Sequence, residues 1–144
     1  MTRYIFVLLS LVYVINLHAN DLYESSVISY ETATPDNRIE DLQKALEQGK
    51  LKLDYNNTNG YLSSVLEMLD IPLSSQSLVF SKTSFHRKLI NTQNPRALYF
   101  NDNVYVGWTP GAELLEIAVV DRHLGAVFYT IKQRNNKPAK LQRN

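Results

Sequence analysis

The chain has 144 residues and contains no cysteine. Without thiols it can form no disulfide, no thiolate nucleophile and no Cys-x-x-Cys-His site for covalent haem within these residues. Its five glycines lie singly, so no glycine-rich phosphate loop is present. We therefore expect no cofactor in this chain and one domain with a modest hydrophobic core.

The sequence also lacks an excess of charge of one sign. Fifteen Lys and Arg residues face fourteen Asp and Glu residues, and removal of a signal containing Arg3 would balance the two. Nucleic-acid binders normally carry a basic excess, so no nucleic-acid partner is expected. The apolar fraction of 44% and the charged fraction of 20% are those of an ordinary globular protein.

Only one hydrophobic run is long, and it lies at the N-terminus. Arg3 precedes almost unbroken apolar sequence from Tyr4 to Leu17, and the small residue Ala19 follows. This order predicts a signal peptide and an exported protein, either periplasmic or secreted. An uncleaved anchor is the less favoured alternative, because the run is shorter than the roughly 20 residues that span a bilayer. Membrane contact is expected only through this segment, if it stays attached.

The whole chain is interpreted as four segments. Residues 1–19 are the predicted signal peptide, 20–34 a polar lead, and 35–131 a single α+β domain. The last segment, 132–144, contains five basic residues and no acidic ones. This composition predicts a basic linker or a loose tail.

Two amphipathic helices are predicted in the N-terminal part of the domain. Thr34 can cap the first, over about residues 35–48, where apolar residues recur at helical spacing. The stretch "YLSSVLEMLD", residues 61–70, predicts the second, because its apolar residues fall at i, i+3, i+4 and i+7. Between the helices, the alternating "KLKLDY" predicts a short strand.

The second half of the chain predicts an antiparallel β-meander. The strand candidates are "SLVFS", "ALYFN", "VYVGW", "LLEIAVV" and "AVFYTI". Asp102-Asn103 suits a tight hairpin turn, and the alternation places Val104 and Val106 on one face and Tyr105 on the other. The expected fold class is therefore α+β, with the two helices before the meander.

No residue pattern typical of catalysis is evident. His86 and His123 have no partner three or four residues away, so neither predicts a metal site, and an exposed loop position is the favoured interpretation. Glu113 and Glu116 are interpreted as solvated charges rather than as a glycosidase pair. We therefore expect no catalytic residue, no metal ligand and no cofactor-binding residue.

A basic patch is the strongest local signal for a binding site. Lys82, Arg87, Lys88 and Arg96 fall within fifteen residues, and such a set could bind an anion or an acidic partner surface. The favoured interpretation of the patch is nevertheless a solvated loop balanced elsewhere by acids. A further alternative is that Arg96 pins a carboxylate such as Asp102 within the fold.

Two longer stretches resemble a known family. "SQSLVFSKTS" at residues 75–84 and "PRALYFND" at 95–102, followed by "VYVG", are similar to the N-terminal region of large secreted bacterial proteins with cytochrome c domains. The similarity extends from about Asp36 to Ile131. In that family a basic linker and a Cys-x-x-Cys-His haem motif follow, and this chain does not contain the motif.

The resemblance implies a non-catalytic accessory domain of an exported c-type cytochrome-like electron-transfer protein. Its partner would be a haem domain in cis or a redox partner protein, with haem c bound only by the full-length family protein. A copy truncated before the haem motif is favoured over a stand-alone form that has lost it. The alternative function is a stand-alone periplasmic binding module for an anionic ligand or an acidic partner surface.

Overall fold

A computed structural model describes residues 28–135 and 138–144 of the chain. Within these ranges two helices and a 3₁₀ turn (Leu73–Ser75) come before six strands in the chain. They are α1 (Arg38–Glu47), α2 (Leu62–Met68), β1 (Ser77–Val79), β2 (Arg96–Phe100), β3 (Val104–Trp108), β4 (Leu114–Asp121), β5 (Gly125–Lys132) and β6 (Leu141–Arg143). The strands form one antiparallel sheet in the order β1 to β6, so the predicted α+β class and the meander are confirmed.

The predicted signal peptide and most of the polar lead lie outside the described residues. The compact unit that contains the sheet spans Thr34–Asn144. Among the described residues, neither helix has the length and apolar character needed to cross a bilayer.

Helix α1 is capped by Asn37, so the prediction of Thr34 as its cap is wrong. The Asn37 side chain accepts hydrogen bonds from the backbone N–H of Ile39 (3.0 Å) and of Glu40 (3.2 Å). These bonds satisfy two donors that a helix start would otherwise leave without a partner. Ile39 and Leu42 are the buried residues of this helix.

The segment before α2 is not the predicted strand. Residues 51–55 pair with no strand among the described residues, and the turn that follows them forms an isolated bridge between Asn56 and Gly60. Alternation alone does not make a strand, since the backbone groups need a pairing partner. Helix α2 follows as predicted and ends where Asp70 takes a positive φ of 52° just before Ile71-Pro72.

The β2–β3 hairpin is confirmed, with its tight turn in the expected place. Phe100 pairs with Tyr105, which leaves four residues to reverse the chain. The Asn101 side chain closes this turn by accepting hydrogen bonds from the backbone N–H of Asn103 (3.1 Å) and of Val104 (3.0 Å). An Asx turn of this kind needs no positive φ in its central residues.

The sheet has one buried face and one outer face. The buried face carries alternate residues of the central strands: Ala97, Tyr99, Val104, Val106, Leu115, Ile117, Val119, Val127, Tyr129 and Ile131. The strand register places the intervening residues on the opposite side. This outer face is defined by Arg96, Leu98, Phe100, Tyr105, Gly107, Glu116, Ala118, Val120, Ala126, Phe128 and Thr130.

Strand β6 corrects the prediction for the C-terminal segment. Leu141–Arg143 pairs with Tyr129–Ile131 of β5, and the Leu141 side chain is buried. The Gln43 side chain of α1 also accepts a hydrogen bond from the backbone N–H of Leu141 (2.9 Å). The prediction of a linker or loose tail is therefore wrong for these residues, and the folded unit extends past Ile131.

A buried carboxylate, Asp121, joins the start of α1 to the turn between β4 and β5. One of its oxygens accepts hydrogen bonds from the Asp36 backbone (2.7 Å) and the Asn37 side chain (2.9 Å). The other accepts from the backbone N–H of His123 (2.9 Å) and of Leu124 (3.0 Å). Burial raises the pKa of this carboxyl, but the four hydrogen bonds outweigh burial and hold the pKa below its ordinary value.

We predict that Asp121→Asn makes the protein less stable, and that the loss shrinks in acid. A carboxyl whose folded-state pKa is depressed contributes stability above its unfolded pKa of about 3.9, and this contribution is lost as pH falls through the folded value. We expect the free energy of unfolding to fall by about 1–3 kcal/mol at neutral pH. Urea unfolding at about pH 7 and about pH 3 measures the difference. Asp102→Asn, at an exposed turn, is the control, and an equal loss at both pH values would contradict the prediction.

Candidate functional site

A cavity of about 710 Å³ lies on the outer face, beside the loop formed by residues 80–95. Ligand pockets commonly measure about 300–1,000 Å³. We call this cavity the outer pocket. The loop contributes Lys82, Thr83, Ser84, Phe85 and Arg87 to its lining, and the sheet contributes chiefly Arg96, Leu98, Tyr105, Gly107, Glu116, Ala118 and Phe128.

Glu116 fixes the loop to the sheet. One of its oxygens accepts hydrogen bonds from the Ser84 hydroxyl (2.9 Å) and from the Phe85 backbone N–H (2.7 Å). Its other oxygen forms an ion pair with Arg96, and both side chains are largely buried, with 12% and 14% of their surface exposed. The interpretation of Glu116 as a solvated charge is therefore wrong.

His86 supplies a second attachment of the loop. Its Nε2 accepts a hydrogen bond from the Leu114 backbone N–H (3.1 Å), and its own backbone N–H donates to the Ser84 hydroxyl (3.0 Å). The first of these bonds requires the neutral tautomer in which Nε2 carries no proton. His86 is thus half-buried and hydrogen-bonded to Leu114 and Ser84, and the prediction of an exposed loop residue is wrong.

Gly107 allows Arg96 to lie across strand β3. A Cβ at position 107 would be only 2.6 Å from Nε and 2.7 Å from Cζ of Arg96. The guanidinium can therefore approach the strand backbone only because this residue has no side chain. Arg96 also donates a long hydrogen bond to the Thr83 carbonyl (3.5 Å), while its Nε is buried without a hydrogen-bond partner.

Three of the four predicted site residues converge on the outer pocket. Lys82, Arg87 and Arg96 line it, whereas Lys88 lines a separate depression with His86. The expectation that Arg96 could pin a carboxylate holds, but the partner is Glu116 and the named example, Asp102, is wrong.

The pairing of Arg96 leaves two cations available at the pocket. Across residues 28–135 and 138–144, no carboxylate is within 4.0 Å of the terminal nitrogens of Lys82 or Arg87. Both side chains belong to exposed residues of the loop. The charged side chains of the lining are three cations and one carboxylate, a net charge of +2.

Sequence reasoning missed the apolar floor of the pocket. Leu98, Tyr105, Ala118 and Phe128 come from four different strands and share the outer face only through the register of the sheet. Alternation within each strand indicates which residues point outward. It does not indicate which outward residues of different strands become neighbours.

The described part of the chain contains no cluster of three His, Cys, Asp or Glu side chains that could hold a metal ion. No protein-family model, curated protein or solved structure matches the chain. The resemblance to cytochrome c domain-containing proteins therefore stays a prediction.

We predict that Glu116→Ala releases the loop from the sheet. The substitution removes both loop hydrogen bonds and leaves the Arg96 guanidinium largely buried without its partner, a change that costs about 2–4 kcal/mol. Hydrogen exchange measured residue by residue should show faster exchange at the Phe85 amide. Glu113→Ala, on an exposed residue at the preceding turn, is the matched control. Unchanged exchange at Phe85 in Glu116→Ala would show that the loop is held by other contacts.

Proposed function

We propose that this domain is a non-catalytic binding module for an anionic ligand or an acidic partner surface. The observation that carries the proposal is the position of Lys82 and Arg87 at the outer pocket without a nearby carboxylate among the described residues. A local surplus of positive charge in a concave site raises the concentration of anions there. Arg guanidinium groups in particular bind carboxylate and phosphate oxygens in a bidentate manner.

Arg96 has a different role in this proposal. Its charge is matched by Glu116, and the pair holds the loop that carries the two available cations. Arg96 is therefore a positioning residue rather than a ligand contact. Lys88 lies on the same loop but outside the outer pocket, which makes it an internal control for the effect of charge alone.

We predict that Lys82→Ala/Arg87→Ala weakens anion binding by at least about tenfold, because two charge-assisted contacts are lost. Inorganic phosphate and a hexaglutamate peptide are the probes, titrated by NMR at low and at high salt. Binding to the unmodified protein should weaken as salt screens the charges.

The control variant, Lys88→Ala/Arg122→Ala, removes the same number of charges outside the outer pocket. It should bind both probes as the unmodified protein does. An equal loss of binding in the two double variants would mean that only the overall charge matters. If the unmodified protein bound neither phosphate nor hexaglutamate, that result would contradict the proposed function.

A second function that we propose is the accessory role in an exported c-type cytochrome-like protein. The resemblance of residues 75–84 and 95–102 supports it, as do the exposed aromatic side chains of the outer face. Phe100 and Tyr105 stack there with ring centroids 5.7 Å apart, and Phe128 is half exposed. Exposed apolar surface of this kind commonly packs against another domain or protein.

We predict that the protein purified from its natural source is exported and belongs to a longer, haem-containing chain. Intact mass and the visible absorption spectrum test this. A mass well above that of the 144 residues together with a haem Soret band would support the accessory role. A mass matching the chain without its first nineteen residues, and no Soret band, would contradict it and leave the binding module.

A further inference from the structure

We infer that the outer pocket binds a small amphipathic anion, in which a carboxylate head is attached to an aromatic or medium-length aliphatic body. This inference rests on the proposed anion-binding function and specifies its ligand. The supporting observation is a row of apolar side chains that the strand pairing places on the outer face, near the loop that carries Lys82 and Arg87.

That row crosses four strands on the outer face. Phe100 pairs with Tyr105, Tyr105 with Ala118, and Ala118 with Phe128. With strands about 4.8 Å apart, the row is about 14 Å wide. Ala118 is a small side chain between the large rings of Tyr105 and Phe128, so the register leaves a groove above it.

The walls of the groove are aromatic side chains that remain exposed to solvent. Tyr105 and Phe128 are 46% and 52% exposed, and Phe85 of the loop, which also lines the pocket, is 65% exposed. An apolar group that fills the space above Ala118 would remove water from these surfaces, which is favourable in proportion to the area covered.

The charge lies at one end of the groove. Next to the apolar row is the row that contains Gly107 and Glu116, and there Ser84 and Phe85 fasten the loop to the sheet. The loop that carries Lys82 and Arg87, both of which line the cavity, is thus attached to the sheet at that end. A ligand that satisfies both parts of the site has a negative head at the loop and an apolar body along the groove.

A small molecule matches this geometry better than an acidic protein surface. The cavity of about 710 Å³ is lined both by the loop and by the apolar side chains of the sheet. Acidic surface side chains such as Asp and Glu would reach the cations but leave the aromatic walls uncovered. An anion with an apolar body covers both.

Straight-chain carboxylates from acetate to octanoate, with the neutral amides of the same length, test the inference on the full chain by calorimetry or NMR titration. Each added methylene should tighten binding by about twofold to fourfold, the ratio expected for partial to complete burial of one CH₂. Each amide should bind at least about tenfold more weakly than its carboxylate, because the charge-assisted contacts are absent.

Ala118→Leu is designed to fill the groove. It should weaken octanoate binding by at least about tenfold while leaving acetate binding unchanged, because only the apolar body needs the space. Ala126→Leu adds the same side chain to the outer face at a residue that does not line the pocket, and it should leave both affinities unchanged. Circular dichroism and thermal melting check that both variants remain folded.

The remaining outcomes separate this inference from the function on which it rests. Chain-length-independent binding that is lost in Lys82→Ala/Arg87→Ala would overturn the groove and leave the anion-binding module. Failure of every carboxylate, with phosphate or hexaglutamate still bound, would overturn the inference alone. A dimer in sedimentation velocity that Ala118→Leu converts to a monomer would show that a second copy covers the groove, which also overturns it.

Discussion

The ion pair between Glu116 and Arg96 is the interaction on which the outer half of the structure depends. Removing two charges from water is costly, and their attraction compensates only when the remaining oxygens and N–H groups find partners. Glu116 meets this condition because Ser84 and Phe85 donate to its second oxygen. Arg96 meets it only in part, since its Nε has no hydrogen-bond partner. The pair therefore contributes more to the position of the loop than to net stability.

Strand β4 organises both faces of the sheet through two carboxylates. Asp121 lies five positions after Glu116 on the same strand, an odd step, so the pleat directs the two side chains to opposite sides. On the buried side Asp121 fixes the start of α1 through Asn37, and on the outer side Glu116 fixes the loop. Each carboxylate accepts hydrogen bonds from segments distant in sequence. The helix and the loop are thus positioned by a single strand that is itself specified by alternating Leu, Ile and Val residues.

The sequence predicts those parts of the fold that have a local cause. The β2–β3 hairpin and α2 were predictable because turn chemistry and periodicity act within a few residues. The cap of α1 was not, because Asn37 is held by Asp121, which is 84 residues away in the chain. Strand β6 was hidden in a basic segment, since its pairing with β5 buries only one apolar side chain, Leu141. The strand predicted at "KLKLDY" failed for the opposite reason: the sequence alternates, but no strand in the described part of the chain pairs with it.

The candidate site, too, has a part that the local sequence predicts and a part that depends on distant residues. A cluster of basic residues in one loop is visible in the sequence, but which cations remain available depends on where a carboxylate on a distant strand lies. A shift of one residue in the register of β4 would turn Glu116 toward the buried face and Ile117 outward. The loop would lose its attachment, Arg96 would lose its partner, and Ala118 would no longer separate Tyr105 from Phe128. The register of β4 therefore sets both the charge of the site and the shape of its groove. Contacts across the whole sheet determine this register, so it cannot be predicted from a local sequence pattern.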